Sequence, residues 1–193
     1  VDAFVGEGMQ VVVADRDVER AEQVAATRDG ARAVHLDVTD EDSVATTFAD
    51  IGDFDTVVNC AGLSNPGALT ELELDAWRNT VDICLTGTFL VIKHAGARIA
   101  EGGSITCIAS LNGRQPGAGM GAYCASKAGV LMLVEVAALE RLDADLQALM
   151  AGLEAQTTGN DQLHLTVAIN YGGRDELVRA TRRIAAAVAA GQI

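Results

Sequence analysis

Residues 55–62 read DTVVNCAG: an acidic start, two β-branched apolar residues, then four residues ending in Ala61-Gly62 with little side-chain bulk. So short a β-branched run favours a strand. A strand that ends in small residues lets a ligand approach its backbone closely, although the same residues make ordinary turns. Working outward, VVVAD (11–15), AVHLDV (33–38) and SITCIAS (104–110) read as further strands. Between them, DVERAEQVAATRD (17–29), DEDSVATTFADI (40–51) and the segment 74–100 carry helical patterns. Acidic residues near the start of the second of these suit the helix dipole. Short apolar strands alternating with helices imply an α/β fold, an open parallel sheet with helices on both faces. Ligands of such sheets sit at the carboxyl ends of the strands.

Composition bounds the reading. The chain has 193 residues, 49% of them apolar, and a formal charge of -13. That is enough chain for one domain with a sizeable core. The negative charge argues against nucleic acid or an anionic membrane surface as a partner, because both would repel it. Cys60, Cys84, Cys107 and Cys124 stand far apart, with no CxxC pair and no His at ligand spacing. This favours reduced thiols in a cytoplasm over a disulfide framework or a metal site. No apolar run reaches the length expected of a membrane span, and no signal peptide is evident.

Polar residues recur at the expected strand ends. Asp15 closes VVVAD, where a carboxylate can accept from an adenosine ribose and repel a 2′-phosphate, or simply cap a turn. Asp37 closes the second strand in LDVTD, where Asp also commonly starts turns. In AYCASKAG (122–129), Tyr123 and Lys127 lie four residues apart and project from one helix face. A cation beside a phenol stabilises the phenolate and eases proton exchange. Ser110, thirteen residues before Tyr123, ends the fourth strand and could polarise a carbonyl oxygen next to that phenol. Two polar residues on a solvated helix face is the plainer reading of the YxxxK pair alone.

In this order and spacing VVVAD, LDVTD, NCAG, SITCIAS-LNG and AYCASKAG resemble the short-chain dehydrogenase/reductases over roughly residues 1–139. The resemblance implies a Rossmann-like fold and hydride transfer between a secondary alcohol or ketone and NAD. It makes Ser110 the catalytic serine, Tyr123 the general acid/base, and Lys127 the lysine that assists it and holds the nicotinamide ribose. Asp15 would set NAD preference, Asp37 and Val38 would contact adenine, and Asn59, Cys60, Ala61 and Gly62 would lie beside the cofactor. Three departures accompany it. Cys84, in ICLTG, stands where the family usually has an Asn. The Gly-rich phosphate turn is not found: VDAFVGEGM resembles the later part of the helix that follows it, and Gly6 and Gly8 precede VVVAD. The family's first strand, central between those equivalent to VVVAD and DTVVNCAG, is therefore expected to be absent, the sheet incomplete and NAD binding weak. Finally, the family's strand and PG turn do not follow AGVLMLVEVAALE.

From about Glu140 the chain changes character. LHLTVAINYGGRDELVRATRRIAAAVAAG (163–191) resembles the interior of a cis-prenyltransferase of the undecaprenyl diphosphate synthase kind. Leu139, Leu142, Leu146, Leu149 and Leu153 form an amphipathic helical stripe before it. The segment 163–169 reads as a strand, 170–173 as a turn, and a helix runs on to about Ala190. Two regions are thus expected: a truncated NAD-binding region 1–139, and a helix-strand-helix segment 140–193 packing onto the same sheet. Three functions remain open: an NAD-linked oxidoreductase of a small alcohol or ketone, an isoprenyl diphosphate transferase fragment, and a non-catalytic fusion of two family fragments. A homo-oligomer is among the expectations, since an incomplete sheet can borrow a strand from another molecule.

Overall fold

Three consecutive valines, Val11–Val13, open β1 (Val11–Asp15), and β2 (Ala31–His35) runs parallel to it in the computed structural model, which describes residues 1–140. Val11 lies opposite Ala31 and Asp15 opposite His35. A second parallel pair joins β3 (Thr56–Asn59) to β4 (Ser104–Cys107), with Asn59 opposite Cys107. The α/β order expected from the sequence holds, with α1 (Asp2–Gly6), α2 (Val18–Ala25) and α3 (Glu41–Asp50) flanking the first pair along the chain. The chain divides after Ala137 into two units, and β1 to β4 all belong to the first.

Local chemistry sets the helix starts. The Asp17 side chain accepts from the Arg20 amide at 3.1 Å and caps α2. Asp40 does the same for α3 through the Asp42 amide at 3.0 Å, with Glu41 and Asp42 in the first turn. Val44 and Phe48, four residues apart, form the buried stripe of α3. They pack with Leu90, Val91 and Ala95 into the core, to which Val57 of β3 and Ile105 of β4 contribute.

Three expectations need correction. The helical segment 74–100 is not one regular helix: α4 (Leu74–Val81) passes into a π-helical stretch, Asp82–Thr86, before α5 (Gly87–Gly96). The π turn puts consecutive residues Ile83 and Cys84 into the interior, and Cys84 reaches across to Leu63. The second strand begins earlier than expected and stops at His35, because the Asp37 amide leaves the ladder and donates to Ser43 Oγ at 3.0 Å. The break expected in the sheet is present among the described residues: β1 pairs only with β2 and β3 only with β4, leaving the β1 and β3 edges unpaired where the absent central strand was placed. Finally, α6 (Gly121–Glu140) is long and apolar enough to cross a membrane, contrary to the expectation that no such run exists. Its Ala122, Ser126, Lys127 and Val130 are nevertheless buried in the protein. The junction near Glu140 and the tail's expected elements lie outside the described residues.

Gly87 shows how tightly α5 meets the segment after β2. A Cβ there would come within 2.7 Å of Val38 Cγ2 and 3.1 Å of the Val38 carbonyl oxygen, so only glycine fits. Phe48, 6% exposed and stacked at a tilt on Phe54 with centroids 5.5 Å apart, anchors the other end of this core. Truncation of Phe48 to Ala should cost about 3–5 kcal/mol. Urea unfolding should then show a lower midpoint with a similar slope.

Candidate functional site

Every described parallel strand points its carboxyl end toward a polar residue named from the sequence. Asp15 ends β1 with an exposed carboxylate, whose Oδ1 accepts from the Asp17 amide at 3.0 Å. Asp37 lies just past β2 and not within it. Its Oδ1 accepts from the Thr39 amide at 2.9 Å and from the Thr39 hydroxyl at 2.7 Å. Those bonds hold the Asp37 carboxyl below its usual value, helped by the charges of Arg16 and His35. One cavity of about 940 Å³ is lined by Asp15, Asp37, Val38, Asn59, Cys60, Ala61 and Gly62 together. It is lined along the whole of β1 and β3 and by Leu36, Phe48, Phe54 and Val91, so it is the gap between the two strand pairs, with the named polar residues bordering it.

Asn59 differs from the other residues of that strip. Its side chain is 7% exposed and spent internally, donating to Thr88 Oγ1 at 3.0 Å and accepting from the Ala61 amide at 3.2 Å. Cys60, by contrast, is exposed.

The second cluster surrounds Lys127. Its side chain is buried, and Nζ donates to the Ile108 carbonyl at 2.6 Å, just beyond β4. The same ammonium lies 5.7 Å from the centroid of the Tyr123 ring, within cation–π range. So the helix spacing that suggested a pair does bring the two side chains together. Ser110 Oγ accepts from the Asn112 amide at 3.2 Å and caps a short 3-10 turn, Leu111–Gly113. That turn rests on α6: a Cβ on Gly113 would sit 2.7 Å from the Lys127 carbonyl oxygen. Ser110 and Lys127 are thus attached to one packed contact. Cys107 borders it, its thiol pushed up by burial and partly restored by the charge of Lys127.

Sequence reading missed the partners that use main chain or small side chains. The Ile108 carbonyl carries no side-chain signature. Gly113 and Thr88 look ordinary until the Lys127 backbone and the Asn59 amide are seen against them.

An α/β unit of parallel strand pairs, with a Tyr–Lys pair on one helix and carboxylates at neighbouring strand ends, suits one class, the Rossmann-like dehydrogenases. The chain belongs to the short chain dehydrogenase family, which it matches over residues 1–164. That match continues past the junction expected near Glu140, and no comparison supports a prenyltransferase segment. Among curated proteins it is 35% identical to a 2,5-dichloro-2,5-cyclohexadiene-1,4-diol dehydrogenase of Sphingobium indicum, covering 72% of this chain and 60% of that protein. It is 43% identical to cis-4-hydroxycyclohexanecarboxylate dehydrogenase of Sinomonas cyclohexanicum, covering 68% and 57%. A solved short chain dehydrogenase/reductase family protein is 31% identical with a TM-score of 0.65, covering 72% and 60%. The chain therefore spans somewhat under two thirds of the length of the relatives it matches.

The Asp37 turn gives a pH test. Because the folded carboxyl ionises below its ordinary 3.8, its charge stabilises the fold above that pH. The contribution fades as pH falls through the lowered value. Asp37→Asn should therefore melt below wild type at neutral pH, with the difference closing under acid. Melting temperatures of both proteins across an acid series will show it.

Proposed function

We propose that residues 1–139 form the cofactor-binding and catalytic part of an NAD-linked oxidoreductase acting on a small secondary alcohol or ketone. The observation that carries this reading is the Tyr123–Lys127 pair, with Lys127 buried and tied to the Ile108 carbonyl beside the Ser110 turn. A lysine kept in such a place, next to a phenol and at the mouth of parallel strands, suits proton transfer better than solubility. The names of the relatives support the reaction class, since they are dehydrogenases of ring alcohols.

The residues present suit the two nucleoside ends of a dinucleotide, while the Gly-rich turn that would hold its pyrophosphate is not among them. Asp15 offers the free carboxylate oxygen that a ribose diol would meet, and the cavity runs from it to Gly62. Ala61 and Gly62 leave room for a ligand close to the backbone. NAD, when bound, supplies the hydride acceptor or donor. Tyr123 Oη gives or takes the alcohol proton, Lys127 Nζ stabilises the phenolate charge, and Ser110 Oγ donates to the substrate oxygen. In this reading the protein is cytoplasmic and assembles as a homo-oligomer. The family match through residue 164 speaks against a junction near Glu140, and the reading frame across residues 135–145 tests it.

Two outcomes test the proposal. Tyr123→Phe should abolish oxidation of a secondary alcohol without lowering the melting temperature, and Ser110→Ala should slow it by roughly 10²-fold or more. Steady-state rates with a panel of cyclic alcohols measure both, and full activity in Tyr123→Phe would remove the proposed proton path. NADH should bind more tightly than NADPH in fluorescence titrations, because Asp15 repels a 2′-phosphate. Equal affinities would reject the role of Asp15, and Asp15→Ala should narrow any preference seen.

A further inference from the structure

The geometry points to Thr88 as a positioning residue that sets the place of Lys127 without touching it. Thr88 is 2% exposed and its hydroxyl is used twice. It accepts from Asn59 Nδ2 at 3.0 Å and donates to the Cys84 carbonyl at 2.8 Å. One side chain thereby joins the last residue of β3 to the π-helical stretch before α5. From Asn59 the connection continues to the Ala61 amide, which donates to Asn59 Oδ1 at 3.2 Å. From the π turn it continues through Cys84 Sγ, which accepts from the Leu63 amide at 3.4 Å and donates to the Leu63 carbonyl at 3.2 Å.

Residues 59–63 are therefore fixed at both ends, and Gly62 lies between the fixed points. Gly62 faces the ammonium: a Cβ built on it would be 3.6 Å from Lys127 Nζ and 3.7 Å from Cys84 Sγ. The Ile108 carbonyl holds Nζ on one side, and the 59–63 loop forms the wall on another. Loss of the Thr88 hydroxyl leaves Asn59 Nδ2 without a partner in a buried place. A buried amide in that state reorients toward a new acceptor, releasing Ala61 and with it the wall at Gly62. The alternative is that Thr88 only fills space. Hydroxyl chemistry and side-chain volume separate the two.

Thr88→Val keeps the shape and removes the hydroxyl, whereas Thr88→Ser keeps the hydroxyl. The chain has two lysines, Lys93 and Lys127, so amine acetylation of the native full-length protein, read by mass spectrometry, gives a ratio with an internal control. Lys93 is half exposed and pairs with Glu41 at 2.6 Å, five residues after Thr88 on α5 and outside its hydrogen-bond network. Thr88→Val should raise labelling of Lys127 relative to Lys93 by roughly 10-fold, matching the cost of one unpaired buried group, and Thr88→Ser should stay near wild type. An unchanged ratio in Thr88→Val, or an equal rise in Thr88→Ser, overturns the inference. If Thr88→Val does not melt cooperatively, Thr88→Ala replaces it under the same criterion.

The inference rests on the proposed role of Lys127 in a dehydrogenase site, so a second measurement keeps the two apart. NADH titrated against wild type and Thr88→Val, followed by fluorescence of Trp77, should show weaker binding in the variant. A changed labelling ratio with no NADH binding even in wild type would sink the dehydrogenase reading and leave the positioning of Lys127 standing. Equal NADH affinity in both proteins would mean that Thr88 positions nothing the cofactor uses.

Discussion

A lysine with 4% of its surface exposed needs an acceptor for its ammonium, and Lys127 finds the carbonyl of Ile108 just after β4. That bond draws α6 onto the end of the β3–β4 pair, and no buried side-chain polar atom among the described residues is left without a partner. Gly113 lets the Ser110 turn settle on the Lys127 backbone, and Gly62 lets the 59–63 loop close against Nζ. The cost of burying a cation is offset only if each of these neighbours is in place. That explains why glycines, a backbone carbonyl and a cysteine gather around one side chain.

The two parallel pairs are organised differently. The β1–β2 pair carries Asp15 and the Asp37 turn, while the β3–β4 pair carries Asn59 and the approach to Ser110. Among the described residues no ladder joins them; α3 bridges the gap by packing on α5 while contacting β2. The open space between the β1 and β3 edges lies where the sequence predicts the absent strand, and the cofactor candidates of both pairs border it.

Most element types are legible in the amino-acid sequence alone. Valine runs predict β1 and β3, and an Asp ahead of a helical pattern predicts the starts of α2 and α3. The boundaries are less so, because they turn on single bonds. Asp37 leaves the ladder for Ser43, and Ser110 leaves it to cap a turn. The π turn is illegible for a related reason. Periodicity reports which residues are apolar, and one extra residue in a helical turn changes which of them face inward without changing composition.

The candidate site divides along the same line. Tyr123 and Lys127 are four apart on a helix, so local geometry alone brings them together, and sequence suffices to name them. The strand-end carboxylates can be named because strands of a parallel sheet end on one side. Their gathering into one cleft, the inward turn of Asn59 and the attachment of Lys127 to Ile108 depend on residues far apart in the chain. Those are contacts made only when the helices pack, and a buried polar group selects its partner from what packing supplies. Sequence therefore determined the family, the element order and the local pair; the tertiary structure decided which of the polar residues border the open space between the strands and which are spent on internal bonds.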